Sequence, residues 1–151
     1  MLYRNHTNKQ AGFTAVELIT VLAASAVVAT LAVSTYTDQN RKARRADATA
    51  HLAALVQQEE MFFTRNRGYT SVISGADGCA GAGCGLNQTT ALSPNEFYAI
   101  SAVADARTYT LTATAREQQI KDKQCRSFTI NNAGIRTASS ASGADTTDIC
   151  W

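Results

Sequence analysis

The stretch that decides the fold runs from Gly12 to Val33 and reads G-FTAVELITVLAASAVVATLAV. From Phe13 onward it is apolar or small, and its single charge is Glu17. A helix of about 20 apolar residues spans the hydrocarbon core of a bilayer, so this stretch is long enough for one span. A lone carboxylate at such a place costs about 2.5–3.5 kcal/mol on insertion scales and normally has a partner and a function.

The candidate partner of this carboxylate lies one helical turn upstream. A cut between Gly12 and Phe13 would create an α-amino cation on Phe13, close to Glu17 of the same chain or of a neighbouring copy. Two other interpretations leave the charge unexplained. They are a secretory signal peptide cleaved near Ala24-Ser25-Ala26, whose apolar region Glu17 would interrupt, and an ordinary membrane anchor.

The order of a short basic leader, Gly12, Phe13, Thr14, Glu17 and a long apolar helix resembles the class III signal of type IV prepilins. The resemblance implies that a prepilin peptidase cuts after Gly12 and N-methylates Phe13. It also implies that Glu17 aids assembly by meeting the amino terminus of an adjacent subunit. The implied partners are other major and minor pilins, the inner-membrane pilus assembly platform and inner-membrane lipid.

The resemblance also divides the chain into a leader (1–12), a transmembrane and filament-core helix (13–36) and a periplasmic globular domain (37–151) that includes the second half of the helix. The expected location is the inner membrane as a single-pass precursor, and then the pilus at the cell surface. Removing Arg4 and Lys9 with the leader reduces the 14 basic side chains to 12, equal to the 12 acidic ones. A neutral mature chain argues against strong global binding of nucleic acid and leaves room for a local basic patch.

Helix-favouring residues without Gly or Pro continue to Thr64, so we predict one helix over 13–64, roughly 78 Å long. Its second half has an apolar stripe with helical spacing, interrupted by Glu59 and formed by Ala48, Leu52, Leu55 and Phe62, with Val56 and Phe63 beside them. The run Arg65-Asn66-Arg67-Gly68 suits a helix end, where cations and a glycine are favoured.

A Gly- and Ser-rich loop follows over 69–94, and the rest of the chain has strand patterns. We predict strands over 97–103, 108–115 and 125–131, a short fourth strand over 135–138, and coil over 139–148. An amphipathic helix and three or four antiparallel strands can bury each other's apolar faces. The predicted class is therefore α+β, and type IV pilins have this architecture: a long amino-terminal helix, half of it transmembrane, packed on a small antiparallel sheet.

Four cysteines, in a part of the chain that the resemblance places outside the cytoplasm, favour disulfides. Of the three pairings we favour Cys79–Cys84, which closes a small glycine-rich loop, and Cys125–Cys150, which ties the tail to the third strand. A zinc site made of all four thiolates is the alternative, although only the first pair has ligand spacing.

The chain also resembles minor pilins of the PilE type, a group that includes ComP-like competence pilins. The resemblance rests on Y-T-L-T-A-T-A at 109–115, D-x-x-C at 122–125, N-x-x-G at 131–134 and the terminal Cys-Trp. Two features depart from many pilins. Ser34 and Ala54 stand where prolines kink the helix, so this helix should be straighter. The Cys79–Cys84 pair is not a general pilin feature.

No catalytic constellation, phosphate-binding loop, metal site or cofactor site is evident, and we interpret His51 as a surface residue. The first functional hypothesis is a structural minor pilin that supports pilus biogenesis, twitching motility or adhesion. The second is a competence pilin that binds DNA through Lys121, Lys123 and Arg126, with Tyr69, Tyr98 or Trp151 stacking on bases. The third is a type II secretion pseudopilin. The cluster Arg41-Lys42-Arg44-Arg45 is better explained as a solvated helix face, or one that pairs with acids of adjacent subunits.

Overall fold

A computed structural model describes residues 12–76 and 83–151, and at 31–35 it describes the backbone alone. The predicted leader, apart from Gly12, lies outside the described residues. The chain forms two compact units, one ending at Asp38 and the other comprising Gln39–Trp151. One helix, α1 (Ala15–Asn66), contributes to both units.

Helix α1 begins at a Thr14 cap. The Thr14 hydroxyl accepts a hydrogen bond from the backbone N–H of Glu17 at 3.2 Å, which satisfies one of the free donors of the first turn. Glu17 lies in that first turn, where a carboxylate is favoured by the helix dipole. The sequence Thr-x-x-Glu also has the pattern of a capping box.

The first unit leaves its large apolar side chains exposed. Phe13 is 86% exposed, and the described valine, leucine and isoleucine side chains from Val16 to Val28 are 58–71% exposed. Among the described residues, no helical segment meets the length and hydropathy required of a membrane span.

In the second unit α1 buries the predicted stripe. Ala48, Leu52 and Leu55 are completely buried and Phe62 nearly so. Glu59 is buried on the same face, so the expected interruption is a fully enclosed carboxyl group.

The stripe packs on a four-stranded antiparallel sheet in the order β1-β2-β3-β4. Its strands are β1 (Tyr98–Ala104), β2 (Tyr109–Ala115), β3 (Ser127–Asn131) and β4 (Arg136–Ser139). One row across the sheet pairs Ile100 with Ala113, Phe128 and Ala138, and all four side chains are buried. The next row, on the other face, is made of hydroxyl-bearing residues: Ser101, Thr112, Thr129 and Thr137. The alternation predicted for the second strand is confirmed.

Two details differ from the sequence predictions. The helix ends through Arg67, which adopts a φ of 56° and donates its N–H to the Phe63 carbonyl, so the left-handed residue is not the expected Gly68. The carboxyl end contains a short helix, α2 (Thr147–Cys150), where coil was expected through 148. Hydrogen bonds between nearby residues close this turn. The polar sequence of the segment has no helical periodicity, so the short helix could not be predicted.

Candidate functional site

The residues expected at the cleavage and assembly site lie at the start of α1. Gly12 and Phe13 precede the first helical turn, and Glu17 is exposed within it. Within this chain, the described contacts of Glu17 are with Thr14 and Thr20, through backbone groups. Its carboxylate is therefore available to a partner outside the chain.

Cys125 and Cys150 form a disulfide, the pairing favoured from the sequence, with 5.7 Å between their Cα atoms. Both lie in the interior, and the bond fixes α2 to the start of β3. Two of the four thiolates required for the zinc alternative are thereby used. Cys84 is buried and disulfide-bonded, whereas Cys79 lies outside the described residues.

The three cationic residues proposed as DNA contacts lie together on the β2–β3 connection, residues 116–126. Lys121 and Lys123 are exposed and have no ion-pair partner among the described residues. Arg126 is half-buried, and its Nη1 donates to the Ile120 carbonyl at 3.0 Å, which holds the connection's short helical turn. The structure thus brings these three residues into one segment of fixed conformation.

The β2–β3 connection is anchored to α1 by a buried ion pair. Arg45 Nε donates to Asp122 Oδ2 at 2.7 Å and its Nη2 to Oδ1 at 3.0 Å, while the two side chains are 11% and 3% exposed. Gln119 is completely buried and donates to the Arg41 carbonyl, the Tyr98 hydroxyl and Asp122. The connection therefore lies at the end of this unit where α1 enters it.

The cluster at 41–45 is not one solvated face. Arg45 forms an ion pair with Asp122 of the same chain, and the Arg44 guanidinium lies 4.4 Å from the centre of the Phe97 ring. Lys42 is exposed. The expectation of a solvated helix face is therefore wrong for Arg45, because the β2–β3 connection packs against this part of the helix.

A sequence model of the type IV minor pilin ComP, described as a DNA uptake sequence receptor, matches residues 34–129, well over half of the chain. The chain belongs to this family. The match begins after Glu17, so it is independent of the amino-terminal motif that suggested a prepilin.

A solved type IV pilin from Shewanella oneidensis is similar at 23% sequence identity, with 64% of this chain and 89% of that chain covered and a TM-score of 0.44. No curated protein matches the chain significantly. The predicted relation to ComP-like minor pilins and the predicted α+β class, a long helix on a small antiparallel sheet, are confirmed. Pilins are structural subunits rather than enzymes, and the family match favours a minor pilin over the pseudopilin alternative.

The aromatic candidates for base stacking in this ComP-family pilin differ in access. Tyr98 is completely buried in the core, so it is unavailable to a ligand, and burial raises its pKa to about 12. Tyr69 lies between Phe63 and Tyr109, with ring centres 4.7 Å from each. Trp151 and Tyr69 are both partly exposed, so both remain accessible to a ligand.

Trp151 borders a groove that could not be expected from the sequence. The groove has a volume of about 830 Å³ and lies between α1 and the carboxyl end of the pilin. Its lining includes small residues of α1 and the longer side chains of Lys42, Gln124, Arg136 and Trp151. These residues are separated by up to about a hundred positions, so no local pattern could reveal them.

Sequence reasoning also failed to predict the surroundings of two titratable groups on α1, one half-buried and one buried. His51 is half-buried rather than on the surface, its Nε2 has no hydrogen-bond partner among the described residues, and burial lowers its pKa. Glu59 Oε2 accepts a hydrogen bond from the Thr70 N–H at 3.2 Å. Burial raises the pKa of Glu59 to about 7, against the lowering effect of that hydrogen bond.

Proposed function

We propose that this minor pilin binds DNA at the cell surface as a subunit of a type IV pilus, with cationic side chains of its globular unit on the phosphates. The observation that carries the proposal is the match to the family described as a DNA uptake sequence receptor. Structural support comes from Lys121 and Lys123, which are exposed on a segment anchored to α1.

The anchoring of the β2–β3 connection matters for binding. A cation on a fixed backbone loses less conformational freedom on meeting a phosphate than one on a loose loop. The Arg45–Asp122 ion pair and the Arg126 hydrogen bond to Ile120 both restrain this segment. Because the mature chain is close to neutral, binding should depend on these local charges and weaken steeply with salt.

For assembly, we infer cleavage after Gly12, methylation of Phe13 and contact between Glu17 and the amino terminus of a neighbouring subunit. The support is the exposed apolar surface of the first unit, which needs lipid in the precursor and other pilins in the fibre. The inferred route is from the inner membrane, through the prepilin peptidase and the assembly platform, to the pilus.

A second candidate is a structural minor pilin that supports pilus biogenesis, twitching motility or adhesion without binding DNA. The same exposed apolar surface favours it, since filament packing requires no DNA contact. Binding of DNA by the purified chain separates the two candidates.

The binding test uses the full-length chain in a mild detergent and a labelled DNA duplex, titrated at several salt concentrations. Binding should weaken linearly with log salt, and Lys121→Gln/Lys123→Gln should reduce the slope by about 1.8, or 0.9 per phosphate contact. A matched control, Arg67→Gln/Arg107→Gln, removes the same charge from exposed residues at the other end of α1 in this unit. No salt-sensitive binding by the unmodified chain would reject the proposal.

The assembly inference has its own test. Mass spectrometry of the pilin from its native host should give a mature terminus at methylated Phe13. Glu17→Ala should leave processing intact but reduce incorporation into pili, whereas the control Ser25→Ala, on the same exposed half of α1, should not. Normal incorporation of the Glu17 variant would remove the proposed role of this carboxylate.

A further inference from the structure

The groove beside Trp151 is lined by small residues of α1 and by cationic side chains. Ala46, Ala50 and Ala53 face it from α1, so a ligand can approach the helix backbone closely. Lys42 of α1 and Arg136 of β4 also line it, and both are exposed. All the residues that line the groove belong to the second unit.

Charge favours an anionic occupant. Arg45 also lines the groove but is neutralised by Asp122, which leaves Lys42 and Arg136 as the cations available to a ligand. No acidic side chain is among the described residues that line the groove. Two exposed cations in a groove whose described lining has no acidic side chain attract a polyanion.

The aromatic wall is held in place before any ligand arrives. Trp151 Nε1 donates to the Thr137 carbonyl at 2.8 Å, and the indole ring packs edge-on against Phe128 with centres 5.9 Å apart. The Arg136 guanidinium lies 5.2 Å from the centre of the indole ring. Cys150, the residue before Trp151, is disulfide-bonded to Cys125, which ties this segment to the start of β3.

Cations that track a backbone together with an exposed aromatic ring are the combination that binds nucleic-acid strands. An apolar helix from another pilin could pack against the three alanines of α1 that line the groove. It would also strip water from Lys42 and Arg136 without giving them a counter-charge, which is costly. The two cations therefore favour a DNA strand over an apolar helix as the occupant of the groove.

We propose that this groove holds the sugar–phosphate backbone of one DNA strand, with Lys42 and Arg136 on phosphates and Trp151 against a sugar or base. The inference rests on the proposed DNA-binding function and names a surface for it. Gln124, at the groove, belongs to the β2–β3 connection, so the groove is continuous with the segment that carries Lys121 and Lys123.

The test exploits the fact that Trp151 is the chain's only tryptophan. Adding a DNA duplex to the full-length chain should change Trp151 fluorescence in parallel with binding measured from the labelled DNA. Lys42→Gln/Arg136→Gln should bind about tenfold more weakly at low salt, with a salt slope smaller by about 1.8. The control Arg67→Gln/Arg107→Gln should keep both the affinity and the fluorescence change.

The outcomes separate this inference from the function on which it rests. If the unmodified chain binds DNA while Trp151 fluorescence is constant and the groove variant keeps its affinity, the groove is wrong and DNA binding stands. If the unmodified chain does not bind DNA, both fail. If the groove variant binds DNA normally but is lost from pili, the groove is a contact between pilins and the inference is overturned. Because the fluorescence test uses the unmodified chain, it holds even if the variant folds poorly.

Discussion

Two buried carboxyl groups hold the two long connections of the globular unit on α1, and their surroundings differ. Asp122, on the β2–β3 connection, accepts hydrogen bonds from Arg45, Gln119 and the backbone N–H groups of Gln124 and Cys125. Glu59, on α1, accepts from the Thr70 N–H of the α1–β1 connection (residues 67–97), and its Oε1 has no partner among the described residues.

This difference determines how the attachment to α1 responds to pH. A buried carboxylate with a cation and several donors is compensated, whereas one with a single donor and no cation beside it favours its protonated form. Accordingly, burial raises the pKa of Glu59 to about 7, and the nearby Glu60 adds to that effect. The attachment of the α1–β1 connection should therefore weaken as pH rises.

Breaking the compensated pair should have the largest effect. Arg45→Met leaves Asp122 buried without its cation and should lower the free energy of unfolding by about 3–5 kcal/mol. The measurement is urea unfolding of the full-length chain followed by Trp151 fluorescence. In the control Arg45→Met/Asp122→Asn, with no buried charge left unpaired, most of the loss should be recovered. Equal losses in the single and double variants would mean that packing, and not charge, holds the connection.

The disulfide beside Asp122 should rank next. Cys125→Ala/Cys150→Ala opens a loop whose ends are 25 residues apart and should lower the free energy of unfolding by about 3 kcal/mol. The same unfolding assay measures it, with Ser139→Ala as a control in the strand to which the tail packs. A variant as stable as the unmodified chain would mean that the hydrogen bonds of α2 and β4 suffice to hold the tail.

Glu59 should produce a pH-dependent effect of about 2–3 kcal/mol, an order of magnitude set by its raised pKa. The folded state holds this proton more tightly than the unfolded state. The contribution of Glu59 to stability should therefore be full below about pH 4.5 and fall as pH rises to about 7, while the lowered pKa of His51 acts in the opposite direction over part of this range. Glu59→Gln should remove that fall and be the more stable chain at pH 8. Asp105 and Asp145, whose pKa values are lowered by hydrogen bonds, affect only more acidic conditions. An unchanged pH profile in the variant would show that another group titrates.

The smallest effect should come from Thr70, the residue that carries the hydrogen bond to Glu59. Its hydroxyl donates to the Cys84 carbonyl at 3.3 Å and accepts from the Val72 N–H. Thr70→Val should cost about 1 kcal/mol and raise amide exchange in the segment around Val72, while exchange at Gln124 and Cys125 stays unchanged. Faster exchange in both connections would show that they are coupled.

Periodicity and turn residues were enough to predict the long helix, its buried stripe, the four strands and their antiparallel class. These features depend on the sequence within each element, with α1 shifted by two residues and each strand by two at most at either end. The pairing of Cys125 with Cys150 was also favoured from the sequence, because it ties the polar tail to the third strand.

The partners of polar groups could not be predicted in the same way. Arg45 and Asp122 are 77 positions apart, so nothing local marks them as a pair, and the run of basic residues at 41–45 has the pattern of a solvated helix face. Glu59 was seen as a break in an apolar stripe because a lone charge normally faces water. The groove at Trp151 exists only once the tail has packed beside α1.

Uptake of labelled DNA by the native host tests the central claim most directly. Deleting this pilin should abolish uptake while pili are still assembled, and the unmodified gene should restore it. A gene encoding Lys121→Gln/Lys123→Gln should restore pilus incorporation but only part of the uptake. Normal uptake by the deletion strain would contradict the account and leave a minor pilin with a purely structural role.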